Sequence, residues 1–306
     1  DSPATTVRRD WRKYPQEAHV LSSDGSRYRR LTPDEIALLQ TIDPIVFRGL
    51  DLTDRQKIAA AGDAVPPRFS AALFAALDDV IALERRTSLE ICAGIGGLAE
   101  GAASAGVEHL ALVEVNETCG RLLRNHRRWA PDAVHVSDVR DFDFRRLAGE
   151  VGVLSGGPPC QPWSRSGHGR GRADERDLLG WLPQVLSVVR PEVFIFENVP
   201  GLLADAHREY LTDLVERLRY PCEGTSYGVL VGKFNAADFG VPQRRERVVF
   251  AGFRGVGSNV ASRYFDAVAA RRTHVEAGMV NDEERTLEQW VTIGAALEGR
   301  SDPGGW

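Results

Sequence analysis

VGVLSGGPPCQPWS, residues 151–164, is the stretch from which the rest of the chain is read. Val151, Val153 and Leu154 make a short apolar run suited to a buried strand, and Gly156-Gly157-Pro158-Pro159 ends it abruptly. Glycine admits backbone angles that other residues resist, while each proline fixes its own φ and restricts the residue before it. Cys160 is thereby presented on a stiff elbow beyond the carboxyl end of a strand, where open α/β sheets carry their chemistry. A lone cysteine is more commonly a buried structural thiol, so its surroundings have to decide.

Outward from the elbow, strands and helices alternate. Upstream, 88–93 reads as a strand closed by Gly94-Ile95-Gly96-Gly97 and followed by a helix to about 105. A second strand at 109–115 leads into a helix over 117–129, and a third at 133–137 ends at Asp138. Downstream, 193–196 is a strand running into Glu197-Asn198, helices fill about 176–190 and 204–219, and 227–234 with 247–253 form an antiparallel pair. This order predicts an α/β fold, a doubly wound, mostly parallel sheet with helices on both faces.

The first 86 residues have another character. Residues 1–30 are polar and carry Arg8, Arg9, Arg12, Lys13, Arg27, Arg29 and Arg30, which suits either a basic arm near nucleic acid or a solvated terminus. Thr32-Pro33-Asp34-Glu35 is a capping box with proline at the first helical position, and Thr53 opens a second short helix. The spacing of Leu73, Leu77, Val80 and Ile81 predicts a longer helix over 69–83.

Composition narrows the class. The 306 residues are 43% hydrophobic and 26% charged, ordinary for a soluble globular protein. No apolar run is long enough to span a bilayer, and no signal peptide is visible. Four scattered cysteines without a CxxC pair point to a reducing cytoplasm, with no disulfide framework and no metal site. A net charge of −5 argues against a protein that coats nucleic acid, though not against a local basic cleft. Lysine occurs only at 13, 57 and 233; the arginine bias suits phosphate and base edges, and a GC-rich genome produces it equally.

The glycine turn at 94–97, between a strand and a helix, suits a nucleotide. Glu114, at the end of the second strand, could accept from ribose hydroxyls, and Asp138, at the end of the third, from an adenine amino group. Solvated surface acids are the plain alternative for both.

GGPPCQPWS (156–164), FENVPGLL (196–203) and QRRERVVFAG (243–252), preceded by EICAGIGG (90–97), closely resemble the signature blocks of cytosine-5 DNA methyltransferases. The resemblance covers nearly all of 29–253. It implies a seven-stranded sheet of the S-adenosylmethionine-dependent methyltransferase type with an antiparallel last strand, and S-adenosylmethionine as cofactor. It also implies a nucleophilic role for Cys160, which adds as thiolate to carbon 6 of a cytosine flipped out of double-stranded DNA. Glu197 corresponds to the glutamate that binds the base at N3 and its amino group. Arg245, and secondarily Arg247, correspond to arginines holding the base carbonyl and a phosphate. Asn198 corresponds to a residue stabilising the site, and Gln161 with 164–172 to the loop that closes over DNA. The cofactor would be held by Cys92, Ala93, Gly94, Ile95, Gly96, Gly97, Glu114, Val115, Asp138, Val139 and Pro158, and by Asp63, Ala64 and Val65. The setting implied is a bacterial cytoplasmic, nucleoid-associated enzyme of restriction-modification or genome defence.

Three positions depart from the pattern. Cys92 stands where an aromatic residue commonly stacks on the adenine, Asn116 where an acid is usual, and Asp63 where the family has Asn. The order departs further: RRLTPDEIALLQTIDP (29–44) and AAAGDAVPPRFSAALFAAL (59–77) look like the family's last two blocks, here placed first. The chain therefore resembles a circularly permuted member. Its expected divisions are 1–86, the displaced blocks packing on the catalytic domain; 87–254, the catalytic core; and 255–306, leading towards a target-recognition domain. That domain is not recognisable: either the chain stops short of it, or a second polypeptide carries it, or the core works without it. A non-catalytic partner- or DNA-binding subunit, and the same chemistry on RNA, are the rival readings. Intact Cys160, Glu197 and Arg245 weigh against the former.

Overall fold

The computed structural model describes residues 2–9, 19–22, 24–159, 177–279, 286–300 and 303–304. Seven strands form its main sheet: β1 (Thr87–Ile91), β2 (Glu108–Glu114), β3 (Val134–Val136), β4 (Val153–Gly156), β5 (Val193–Asn198), β6 (Tyr227–Asn235) and β7 (Glu246–Arg254). Their spatial order is β3-β2-β1-β4-β5-β7-β6. Ile91 pairs in parallel with Val113 of β2 and Gly156 of β4, whereas Glu197 of β5 lies antiparallel opposite Val249 of β7. The reversed strand is thus β7, as the sequence predicts. Chain order turns around between β1 and β4, so their carboxyl ends open a crevice at the switch point.

The helices are α1 (Pro33–Leu39), α2 (Asp54–Asp63), α3 (Pro67–Ala75), α4 (Gly97–Ser104), α5 (Glu117–Asn125), α6 (Leu182–Val189), α7 (Arg208–Arg219), α8 (Ser258–Ala270) and α9 (Ile293–Leu297). Alternation along β5 decides which helices cover which face. Phe194 and Phe196 point into a cluster with Leu154 and Phe250, closed by Leu186 of α6 and Leu214 of α7. Val193 and Ile195 point the other way, into a cluster with Leu73 of α3, Leu98 of α4 and Tyr264 of α8. Each of these side chains is fully or almost fully buried, worth about 1.5–3 kcal/mol apiece.

Several boundaries differ from the sequence reading, for local reasons. The helix expected over 69–83 ends at Ala75 and continues as a 3-10 turn, Ala76–Asp79. There Asp78 pairs with Arg86 and Asp79 with Arg271, which ties the turn to neighbouring segments. The helix expected to reach 129 stops at Asn125. His126 stacks on Trp129, and the indole donates back to the Leu123 carbonyl at 3.0 Å. Arg29 belongs to no solvated terminus: its fork meets both oxygens of Glu35 at 2.8 and 2.6 Å, with both residues buried.

The ends of the chain also pack on the sheet unit. Tyr264 of α8 donates to the Leu73 carbonyl and shares a core cluster with Val249 and Phe253 of β7. Residues 2–9 run across the 242–245 block, with Ala4 bonded to Pro242 and Arg244 by main-chain hydrogen bonds.

Candidate active site

One cavity of about 530 Å³ opens at the carboxyl ends of β1 to β5, within the size range of small-ligand sites. At one end lie Gly94, Glu114 and Asp138; at the other, Pro158, Pro159, Glu197 and Arg247. The candidate cofactor residues and the candidate base-binding residues therefore face a single space.

The turn after β1 is built by backbone conformation. Cys92, Gly94 and Gly96 all have positive φ, at 52°, 58° and 86°. Such angles are strained for cysteine and free for glycine. Glu114 locks the turn: one carboxylate oxygen accepts from Gly94 N at 2.7 Å, the other from Asn116 N at 2.8 Å. Gly97 opens α4 so close to the amino-terminal helices that a Cβ there would lie 1.9 Å from the Val65 carbonyl oxygen. Ala64 and Val65 thus buttress the turn, while Ala93, Ile95, Gly96 and Gly97 shape it from behind the cavity wall.

Asp138 accepts from the Arg140 backbone and guanidinium, which hold its carboxyl down at about 2. Burial, together with Glu114 and Asp138, pushes the Cys92 thiol far up, leaving it a neutral lining group at neutral pH. Val115, 65% exposed, and Val139 add apolar wall. Asn116, the departure from an acid, caps α5 by accepting from Cys119 N at 3.1 Å. Acceptor carboxylates beyond two adjacent strands, a glycine turn and apolar side walls fit an adenosine-bearing cofactor.

At the other end, Asn198 donates to the Pro158 carbonyl at 3.0 Å and accepts from Val199 N, binding the elbow after β4 to the end of β5. Glu197 and Arg247 form an ion pair at 2.5 Å, each side chain about nine-tenths buried. Arg245 is placed differently. Its guanidinium donates to the carbonyls of Val7, Gly62 and Ala64 at 2.9, 3.0 and 2.9 Å. Burial and neighbouring Arg247 pull its pKa down, with Glu197 and Asp63 opposing, yet a guanidinium remains charged at neutral pH. Of the two arginines that the sequence singles out, Arg247 is the one that pairs with Glu197, whereas Arg245 knits the site to the amino-terminal segment. Cys160, Gln161 and the loop 164–172 lie outside the described residues; Pro159, which lines the cavity, immediately precedes Cys160.

Two participants were not among the expected site residues. Gln243, fully buried, donates to the Leu39 carbonyl and Gln40 and accepts from Val7 N. Arg9 lines the cavity beside Asp63. The basic run at 8–13 was a signal for Arg9, but nothing local says where it lands.

The sheet order and the cavity at its switch point define an α/β domain of the methyltransferase type. The sequence profile described as C-5 cytosine-specific DNA methylase matches residues 87–290, and the chain belongs to that family. It is 37% identical over 180 residues to the Type II methyltransferase M.NgoMIV of Neisseria gonorrhoeae, covering 56% of this chain and 53% of that protein. It is 36% identical over 163 residues to the Type II methyltransferase M.NaeI of Lentzea aerocolonigenes, covering 53% and 38%. The chain thus spans about half the length, or less, of these relatives. Among solved structures, a putative DNA modification methyltransferase encoded within an Escherichia coli prophage aligns with a TM-score of 0.48 at 23% identity, over 71% of this chain and 55% of that one.

Proposed function

We propose that this chain is the catalytic core of a circularly permuted cytosine-5 DNA methyltransferase acting in the bacterial cytoplasm, in restriction-modification or genome defence. The observation that carries the reading is the single cavity joining a nucleotide-type turn to the Glu197–Arg247 pair, with the Pro158–Pro159 elbow at its edge.

S-adenosylmethionine, when bound, supplies an activated methyl group. Gly94, Glu114, Val115, Asp138 and Val139 would hold its adenosine part. The chain's own residues prepare the acceptor. A cytosine must leave the duplex to reach so recessed a site. Glu197 binds its N3 edge and amino group, and Arg247 orients that carboxylate and reaches the base carbonyl. Addition of the Cys160 thiolate to carbon 6 raises electron density at carbon 5, where the methyl is received. Loss of the carbon 5 proton then releases the thiolate. Asn198 and Arg245 are positioning residues.

The permuted order is supported by packing. Val65 braces the start of α4 directly, at Gly97, and the link from α3 into β1 is tied down by Glu192, which accepts from Glu84 N and Arg85 N at 2.8 and 2.9 Å. Such a join connects the displaced blocks to the first strand without a long excursion.

The test is product identity. Unmethylated genomic DNA and transfer RNA are each incubated with the protein and labelled S-adenosylmethionine, and the nucleosides are resolved by mass spectrometry. Label in 5-methyldeoxycytidine supports the reading. Label confined to RNA would make the substrate RNA, and label in neither would favour the binding-module reading.

A further inference from the structure

Arg9 comes from a part of the chain that lies before all the blocks resembling the family, yet it stands in the cavity wall. Its backbone is held there by construction. Residues 4–7 bond along 242–245, with Arg245 donating to the Val7 carbonyl and Val7 N donating to Gln243. Gly62 then lets the chain pass so closely that a Cβ there would lie 2.5 Å from the Arg8 carbonyl carbon and 2.6 Å from Arg9 N. The Arg9 guanidinium so placed approaches the Asp63 carboxylate at 3.4 Å, and both side chains remain open, 65% and 53% accessible.

This pair offers the cavity a cation and an anion side by side. One Nη1 approach to Asp63 engages little of a guanidinium that carries five donors. Burial raises the Asp63 pKa, with the charges of Arg9, Arg245 and Arg247 opposing it, and Asp63 also acts on Cys119, as Glu114 does. The pair therefore lies between the ribose-side acid and the base-side arginines. An amino-acid end, with its ammonium and carboxylate adjacent, is the complementary group.

We propose that Arg9 and Asp63 together bind the zwitterionic amino-acid end of the methyl donor, Arg9 taking the carboxylate and Asp63 the ammonium. The inference rests on the cofactor reading given above. It also accounts for the acid at position 63: alone it would repel a carboxylate, and Arg9 cancels that charge.

The experiment is calorimetric binding of S-adenosylhomocysteine, which has the amino-acid end, and of 5′-methylthioadenosine, which lacks it. The full chain is compared with its Arg9→Ala and Asp63→Ala variants. Each variant should lose about tenfold or more in affinity for S-adenosylhomocysteine, the scale of a charge-assisted hydrogen bond, and stay within about twofold for 5′-methylthioadenosine. The second ligand also reports an intact adenosine site. Unchanged S-adenosylhomocysteine affinity in Arg9→Ala overturns the proposal, as does equal weakening of both ligands, which would mark a purely structural residue. A parent chain that binds neither ligand would instead overturn the cofactor reading itself.

Discussion

Arg247 Nε lies 2.5 Å from Oε1 of Glu197, across the antiparallel seam where β5 meets β7. Both side chains are nearly withdrawn from water, yet both line the cavity. A buried pair of this kind contributes little net stability, because desolvating two charges offsets their attraction. In the proposed reaction its significance is positional: it holds a carboxylate in one orientation in the cavity wall. Glu197→Gln keeps the shape and removes the charge. Methyl transfer in single-turnover assays should fall by about 10²–10³-fold, with S-adenosylhomocysteine affinity within about twofold of the parent.

Arg245 should behave in the opposite manner. Replacing it with Met leaves the carbonyls of Val7, Gly62 and Ala64 without their donor. The expected loss of stability is about 3–5 kcal/mol, read from the urea midpoint. Amide exchange should accelerate first over residues 4–9. Arg247→Met, by contrast, leaves the Glu197 carboxylate buried without its partner, a loss of comparable size, and should abolish most activity while amide exchange over residues 4–9 stays as in the parent.

Glu90 on β1 supplies a pH signature. The residue is 1% exposed, and its Oε2 lacks a hydrogen-bond partner. Burial, with Glu114 nearby, raises its pKa well above the ordinary carboxylate value, so the folded chain favours its neutral form. The unfolded chain releases that proton near the ordinary value of 4.5. Stability from this residue is therefore complete below that pH and is lost as pH rises towards the folded pKa. Glu90→Gln removes the dependence. The variant should match the parent at pH 4 and gain on it as the pH rises above 5 in denaturant midpoints.

Local signals carried the sheet and failed at long range. The apolar runs at 193–196 and 247–253, and the glycine turn at 94–97, are properties of a few adjacent residues, and they place β5, β7 and the turn after β1 correctly. The capping boxes at Thr32 and Thr53 are equally local and equally legible. The end of α5 was not, because His126 and Trp129 continue a helical pattern until stacking and an indole hydrogen bond redirect them. Roles that depend on partners more than two hundred residues away left no trace in the sequence. Arg245 meets Val7 across 238 positions and Gln243 meets Leu39 across 204. No periodicity encodes either contact.

The central claim is a covalent one, and a duplex of mixed sequence with every cytosine replaced by 5-fluorocytosine tests it without knowledge of a target. With S-adenosylmethionine present, fluorine at carbon 5 blocks the final loss of that substituent and should trap the base on the protein. The account predicts a denaturant-stable protein–DNA species whose cross-linked peptide, by mass spectrometry, contains Cys160 and which the Cys160→Ser variant does not form. No adduct at saturating DNA and cofactor, or an adduct through any other residue, would contradict it.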